Sequence, residues 1–194
     1  MISINYSYAE YKLTKLMKKD LSDFSKLYNQ YSSMKSKFIQ TDTKGNIVEG
    51  WFIITKPNKA RIEYPKFSLI INNKLVMYEK TLQQRTVLPI GNSPFIYILK
   101  KDFDLLSDKI RIIEIIVNNN IYKVKIVDKK NPSIGSITLV IDKNTGYITE
   151  WNVMDANGIT TNVKLLNPQY IKHKFKSKYF NRRHIKPLKF DMIK

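Results

Sequence analysis

Two separated stretches decide the fold of this chain: KPNKARIEYP at residues 56–65 and GNSPFIYIL at residues 91–99. The first is a strand pattern that a proline interrupts and that then resumes with alternating apolar residues. The second begins with turn residues, and Ser93 precedes Pro94 as an N-cap precedes a first-turn proline. The residues after Pro94 would make a short helix apolar on most of its surface, so we expect this helix to be buried.

The segments around these stretches follow the pattern of strands joined by tight turns. Residues 37–40 begin a strand, Gly45 supplies the positive φ of the next turn, and residues 50–56 return. Both faces of the returning strand are apolar, so we expect one face to meet a core or cavity and the other to be partly covered. Further strands are predicted at residues 59–64, 69–71, 75–78, 83–88, 110–117, 121–127, 136–141, 147–154 and 160–165. Such regular hairpins predict a large antiparallel sheet, curved or closed into a barrel-like shape.

A helix is predicted ahead of the strands. Between residues 8 and 34, apolar residues recur at three- and four-residue steps and form one stripe. The stripe contains Leu21, Phe24, Leu27, Tyr28, Tyr31 and Met34. Asp20 lies where the first turn of a helix favours an acid, although Leu13, Leu16 and Met17 extend the stripe upstream. The pattern is typical of a helix packed on a sheet.

Composition points to one globular domain over residues 1–194 with an acidic partner. The 34 Lys and Arg residues outnumber the 16 Asp and Glu residues, which gives a net charge of +18. Such a balance favours contact with a nucleic acid, an anionic membrane surface or an acidic protein. The basicity is dense in a C-terminal tail, about residues 170–194, which we expect to be a last strand followed by a loose end.

The residue types that most catalytic and metal sites require are scarce. The chain has no cysteine and only two histidines, His173 and His184, both in the basic tail. It has no zinc-binding helix motif, glycine-rich phosphate loop or paired-carboxylate spacing. We therefore predict no enzyme activity, no catalytic residue, no metal site and no cofactor. A basic nucleic-acid-binding module is a remote alternative, because no RNA-recognition or helix-turn-helix signature supports it.

The sequence gives no direct sign of export or membrane insertion. No run approaches the roughly 18 apolar residues that a spanning helix needs. The first ten residues lack a basic segment followed by an apolar one, so no signal peptide is visible.

From about residue 20 to about residue 166, the order and spacing of short motifs resemble the LolA family, periplasmic carriers that take lipoproteins to the bacterial outer membrane. No motif is specific alone, and Asn92-Ser93-Pro94-Phe95 is the most telling of them. The others are Phe38-Ile39-Gln40, Gly50-x-Phe52-x-Ile54, Lys56-Pro57-Asn58-Lys59, Tyr64-Pro65, Leu82-x-Gln84, Asp142 through Gly146 and Asp155 through Gly158.

This resemblance implies a mainly β fold with a helical lid (α+β): an unclosed antiparallel β-barrel, covered by short α-helices, around an apolar cavity for acyl chains. It implies a periplasmic location, with a signal peptide removed, and a monomer. The implied partners are acylated lipoproteins, an inner-membrane ATP-driven lipoprotein-releasing transporter and an outer-membrane lipoprotein acceptor, with no nucleic acid.

The cavity is expected to have a lid side and a sheet side. The lid side comprises Phe24, Tyr28, Phe95, Ile98 and Leu99, and the sheet side comprises Phe52, Ile54, Ile62, Tyr64 and Tyr78. Ordinary core packing is the alternative for each, because cores and cavity walls use the same residue types.

The resemblance also assigns a role to Lys56. The family usually has an arginine here, whose guanidinium bonds carbonyls of the lid and holds the empty carrier shut. Lysine lacks the planar fork of arginine, so a Lys56 latch should be looser. Two related functions stay open: an outer-membrane lipoprotein acceptor, and a sensor that binds lipids or peptides in the same cavity.

Overall fold

The computed structural model describes residues 11–88, 94–183 and 185–193. Within these ranges the chain forms one α-helix and a single 11-stranded sheet. The helix is α1 (Lys15–Asn29), and the strands are β1 (Ser33–Asp42), β2 (Ile47–Thr55), β3 (Lys59–Glu63), β4 (Phe67–Asn72), β5 (Lys74–Glu79), β6 (Gln84–Leu88), β7 (Ile110–Val117), β8 (Ile121–Asp128), β9 (Gly135–Asp142), β10 (Ile148–Asp155) and β11 (Thr160–Ile171). Short 3-10 helices span Pro94–Leu99, Pro132–Ile134, Ser177–Phe180 and Phe190–Met192.

The sheet is unclosed, and its two edge strands are consecutive in the chain. The strand order is β6-β5-β4-β3-β2-β1-β11-β10-β9-β8-β7, and neighbouring strands are antiparallel. The chain between β6 and β7 contains residues 94–105, which we call the lid segment. This segment packs on one face of the sheet, where its apolar residues are part of the main core. The predicted unclosed barrel with a lid is therefore confirmed.

The sheet curves so that its two halves approach each other. Two strands separate β2 from β10, which places them about 14 Å apart on a flat sheet with strands about 4.8 Å apart. The rings of Phe52 on β2 and Trp151 on β10 nevertheless have centroids only 5.4 Å apart. The main core fills the resulting concave face, where α1 buries Leu21, Phe24 and Tyr28.

The helix is shorter than the sequence pattern predicts. The Thr14 side chain caps α1 by accepting a hydrogen bond from the Met17 amide at 3.2 Å, so Asp20 lies inside the helix instead of at its start. The helix ends at Asn29, and Met34 belongs to β1. The Met34 side chain is buried, as the helical stripe predicts, but it is buried because Met34 occupies a core-facing position of the strand.

The second predicted helix is a 3-10 helix, Pro94–Leu99, instead of an α-helix. The expected burial is present, since Tyr97, Ile98 and Leu99 all lie in the main core. The Tyr97 hydroxyl donates a hydrogen bond to Asp128 at the end of β8. The predicted N-cap, Ser93, lies outside the described residues.

The C-terminal region is a packed strap instead of a loose tail. Strand β11 continues to Ile171, and residues 172–183 and 185–193, which we call the strap, cross the convex face of the sheet. The second apolar face of β2 explains why, because Ile53 on that face is fully buried beneath the strap. The strap contributes Phe175, Tyr179, Phe180 and Ile193 to this second core. Both faces of β2 are thus covered, as its pattern predicts.

None of the helices in the described part of the chain is long and apolar enough to cross a membrane.

Candidate functional site

A cavity of about 190 Å³ lies on the concave face between the two halves of the sheet. Four of the predicted site residues, Phe52, Ile62, Tyr64 and Phe95, line it. Sequence analysis did not assign the remaining lining residues, which are Phe38, Gln40, Trp151, Val153, Thr161 and Val163. The alternation of apolar residues assigns most of them to one face of their strands, but only the curvature of the sheet brings β2 and β10 to face one another.

Half of the residues that line the cavity are aromatic. The Trp151 ring lies 5.4 Å from the rings of both Phe52 and Phe95, measured between centroids. The Phe38 ring lies 6.2 Å from Phe52 and 5.5 Å from Tyr64. Phe95, the lid residue of this group, therefore closes the cavity from the side opposite the sheet.

Among the described residues, one hydrogen bond joins two side chains that line the cavity. The Tyr64 hydroxyl donates a hydrogen bond of 2.7 Å to the Gln40 side chain. Burial raises the pKa of Tyr64 to about 12, so the hydroxyl stays neutral at physiological pH. The wall is therefore uncharged here, as an acyl-chain site requires.

The turn between β2 and β3 joins α1 to the lid segment. The Lys56 ammonium donates to the Tyr28 carbonyl oxygen on α1 at 2.9 Å. The Asn58 amide donates to the Leu99 carbonyl oxygen at 2.8 Å. The Tyr28 hydroxyl completes the contact by donating to the Ile98 carbonyl oxygen at 2.7 Å. The turn, the helix and the lid segment are thus held pairwise.

Lys56 is buried, with 6% of its surface exposed. Its ammonium also lies 4.3 Å from the centre of the Tyr28 ring, a cation–π contact. Burial lowers the pKa of Lys56 to about 8, and the charge of Asp102 opposes this effect in part. Lys56 thus contacts a carbonyl of α1, whereas the resemblance implies a latch onto the lid. Its role as a latch stays a prediction.

A second pair of hydrogen bonds joins α1 to the part of the lid segment that follows its 3-10 helix. The Asn29 side chain donates to the Phe103 carbonyl oxygen at 2.9 Å and accepts from the Phe103 amide at 3.0 Å. The Phe103 ring also lies 5.5 Å from the Tyr28 ring in an edge-on arrangement. Helix and lid segment therefore form a common cover.

Nine of the ten predicted cavity residues lie on the concave side. Phe24, Tyr28, Ile54, Ile98 and Leu99 belong to the main core but do not line the 190 Å³ cavity. Tyr78 lies on the opposite face, because it pairs with Ser68, which in turn pairs with Glu63 beneath the strap. The structure therefore does not bring Tyr78 to the other predicted residues.

A buried charge network lies beneath the strap. The Arg61 guanidinium contacts the Glu63 carboxylate at 2.7 Å, and the side chains are only 4% and 7% exposed. Ser68 and Lys80 contact the other carboxylate oxygen at 2.7 and 2.8 Å. Arg61 also donates to the strap carbonyls of Tyr179 and Lys186 at 3.2 and 2.7 Å. Sequence analysis missed this network.

Comparison with proteins of known sequence found a relative in Rickettsia prowazekii (strain Madrid E), the uncharacterized protein RP864. The two chains are 28% identical over 146 residues, which cover 73% of this chain and 67% of the relative.

Comparison with solved structures gave alignments at low sequence identity. A DUF1329 family protein from Desulfovibrio piger aligns with a TM-score of 0.51 and 11% identity over 86% of this chain and 96% of the other. The LolA superfamily protein NE2245 from Nitrosomonas europaea aligns with a TM-score of 0.45 and 4% identity over 83% of this chain and 97% of the other.

The family described as outer membrane lipoprotein carrier protein LolA matches residues 29–183, from the end of α1 into the strap. This span includes the sheet, the lid segment and the turn that carries Lys56. The chain therefore belongs to the LolA family.

Proposed function

We propose that this protein is a periplasmic carrier that holds the acyl chains of lipoproteins in the concave cavity and moves lipoproteins from the inner to the outer membrane. The observation that carries the proposal is the aromatic cavity between the sheet halves, closed by Phe95 of the lid segment. Membership of the LolA family supports the same function.

The proposal requires the cover to move. The cavity of about 190 Å³ is smaller than the roughly 300–1,000 Å³ of typical small-molecule sites. The described structure is therefore a closed form, in which α1 and the lid segment occupy space that acyl chains would take. Moving them together breaks few described hydrogen bonds, chiefly those that the Tyr28 and Leu99 carbonyls accept from the β2–β3 turn and the one that Tyr97 donates to Asp128, and leaves the sheet intact.

The free energy of acyl-chain transfer implies that the carrier needs one partner for loading and another for release. Transfer of an acyl chain from water gains about 0.8 kcal/mol per CH₂ group, so one long chain contributes more than about 10 kcal/mol. A lipoprotein leaves a bilayer, however, whose interior is as apolar as the cavity. The net driving force into the carrier is then close to zero. An ATP-driven transporter must load the carrier, and an outer-membrane acceptor must empty it.

The decisive experiment is release of a triacylated lipoprotein from inner-membrane vesicles. The purified protein is added to vesicles that contain the transporter, with and without ATP. We expect soluble lipoprotein to co-elute with this chain only when ATP is present.

Two results would overturn the proposal. Absence of release by folded protein would favour a sensor that binds lipids or peptides in the same cavity. ATP-independent capture of lipoprotein already loaded on another carrier would favour an acceptor.

A further inference from the structure

The strap forms a groove of about 600 Å³ on the convex face, opposite the concave cavity. Arg61 lies at its floor. Its guanidinium donates to the carbonyl of Tyr179, in the first part of the strap (residues 172–183), and to the carbonyl of Lys186, in the second part (residues 185–193). The volume lies within the range of ligand sites in proteins.

Cations line this groove and no acid does, among the described residues. Lys178 and Lys186 lie on the rim with exposed side chains, and neither has an acidic partner within the described part of the chain. Below them, the single carboxylate of Glu63 is shared between Arg61 and Lys80. Glu63 and Lys80 line the adjoining pocket and not the groove itself, so the described charged residues of the groove are all cations. A cleft lined by one sign of charge concentrates counter-ions.

Arg61 has more N–H donors than its three described hydrogen bonds to side-chain and backbone oxygens use. An arginine carries five N–H donors, and three of them serve Glu63, Tyr179 and Lys186. The remaining donors lie in a side chain that is only 4% exposed and lines the groove. A groove lined by a guanidinium and two ammonium groups suits a phosphate group, which accepts several charge-assisted hydrogen bonds.

The groove also has apolar walls. Tyr179, Pro187 and Leu188 line it together with the cations. Free phosphate would leave these walls in water, whereas an acyl chain or similar group attached to the phosphate would cover them.

We propose that this groove is a second ligand site, which binds an amphiphile whose headgroup is a phosphate with a net negative charge. It lies across the sheet from the concave cavity, so the inference does not depend on the carrier function.

The two tryptophans report the two faces separately. Trp51 packs on Phe190 of the strap, with centroids 5.9 Å apart, whereas Trp151 lines the concave cavity. Titration of the Trp151→Phe protein with water-soluble dihexanoyl phosphatidate should therefore give a saturable change in Trp51 emission. In Trp51→Phe, Trp151 should respond less at the same concentrations. A response confined to Trp151 would overturn the site.

Charge reversal tests the groove against general electrostatic attraction. Lys178→Glu with Lys186→Glu should raise the dissociation constant at least about tenfold, because two attractive contacts become repulsive. Lys172→Glu with Lys174→Glu makes the same charge change on exposed strap residues outside the groove, and should change it less than about twofold. An equal loss in both pairs would overturn the proposal.

Two further ligands test the headgroup and the apolar group. Inorganic phosphate and dihexanoyl phosphatidylcholine should each bind at least about tenfold more weakly than the phosphatidate. Equal binding of inorganic phosphate would overturn the amphiphile assignment, and equal binding of the zwitterionic lipid would overturn the preference for an anion.

Discussion

The ammonium of Lys56 lies 2.9 Å from the carbonyl oxygen of Tyr28, and the hydroxyl of the same tyrosine lies 2.7 Å from the carbonyl oxygen of Ile98. A single residue of α1 thus connects the β2–β3 turn, through its backbone carbonyl, to the lid segment, through its hydroxyl. Opening the cover must separate at least one of these contacts, which makes Lys56 and Tyr28 the natural place to perturb it.

Replacement of Lys56 by arginine should hold the cover more firmly. Arginine offers five donors in a planar fork, so it can bond a second carbonyl besides that of Tyr28. One added hydrogen bond of about 1 kcal/mol would slow opening about fivefold. Hydrogen exchange of the Asn58 amide, which donates to Leu99, measures this. Lys59→Arg is the matched control, and unchanged exchange in Lys56→Arg would count against the latch.

The cover should close more tightly as the pH rises above 8. Burial lowers the pKa of Lys56 from 10.5 to about 8 in the closed form, and opening would return it toward 10.5. Between these values the closed form binds fewer protons than the open form, so a rise in pH favours closure by at most about tenfold per unit. Below about pH 8 both forms are protonated and the dependence disappears.

Acrylamide quenching of Trp151 in a Trp51→Phe background measures this pH dependence between pH 7 and 9.5. Quenching should fall above pH 8 and stay constant below it. Lys56→Met should abolish the dependence, and the same pH profile in that variant would show that another group titrates.

Phe95→Glu should remove lipid binding while the protein stays folded. Phe95 is only partly buried and contacts Trp151 at the cavity, so a carboxylate there would meet the acyl chains while retaining access to water when the cavity is empty. A cost of a few kcal/mol corresponds to at least about a hundredfold loss of affinity. Ile47→Glu places the same charge at a residue that is 70% exposed, and should bind normally. Unchanged binding by Phe95→Glu would exclude Phe95 from the site.

Much of the fold could be predicted because local pattern and final structure agree. Alternation and turn residues locate the strands, and the apolar residues after Pro94 predict the buried helix of the lid segment. The strap could not be predicted in this way. Its apolar residues, such as Phe175 and Phe180, are scattered among lysines without a helical or strand period, and only the second apolar face of β2 indicated that something would cover it.

The candidate site was predicted in part for a related reason. Residues on β2 and β3 could be assigned to a face from their alternation, whereas Trp151 on β10 joins them only through the curvature of the sheet. Tyr78 is predicted to line the sheet side of the cavity. Its register with Ser68 puts it beneath the strap instead.

Gly50→Ala should destabilise the cavity wall. A Cβ atom at Gly50 would lie 2.4 Å from the backbone oxygen of Glu63 and 2.6 Å from the end of the Phe38 ring. The backbone contact cannot be relieved by a side-chain rotation, so a loss of about 1–3 kcal/mol in the free energy of unfolding is expected. Urea denaturation measures it, and an unchanged midpoint would show that β2 and β3 separate at little cost.

Arg61→Met should destabilise the protein more than any other single loss of charge beneath the strap. It leaves the carboxylate of Glu63 without its closest cation and removes the donors to Tyr179 and Lys186. Breaking a buried ion pair from one side typically costs about 3–5 kcal/mol. Lys80 still contacts Glu63 at 2.8 Å, so the carboxylate stays partly compensated and we expect a loss near the lower end, about 3 kcal/mol. Urea denaturation should show this loss, and trypsin should cut the lysine-rich strap faster.

Two variants separate the buried charge from the strap contacts. Arg85→Met also removes an arginine that donates to the strap, here to the Arg183 carbonyl at 2.8 Å, but Arg85 is exposed and its loss should cost about 1 kcal/mol or less. Adding Glu63→Gln to Arg61→Met should recover part of the stability, because it removes a buried carboxylate that only the partly exposed Lys80 still pairs. If the double variant is no more stable than Arg61→Met, then Arg61 stabilises the protein through the strap carbonyls, and the Glu63 pair contributes little.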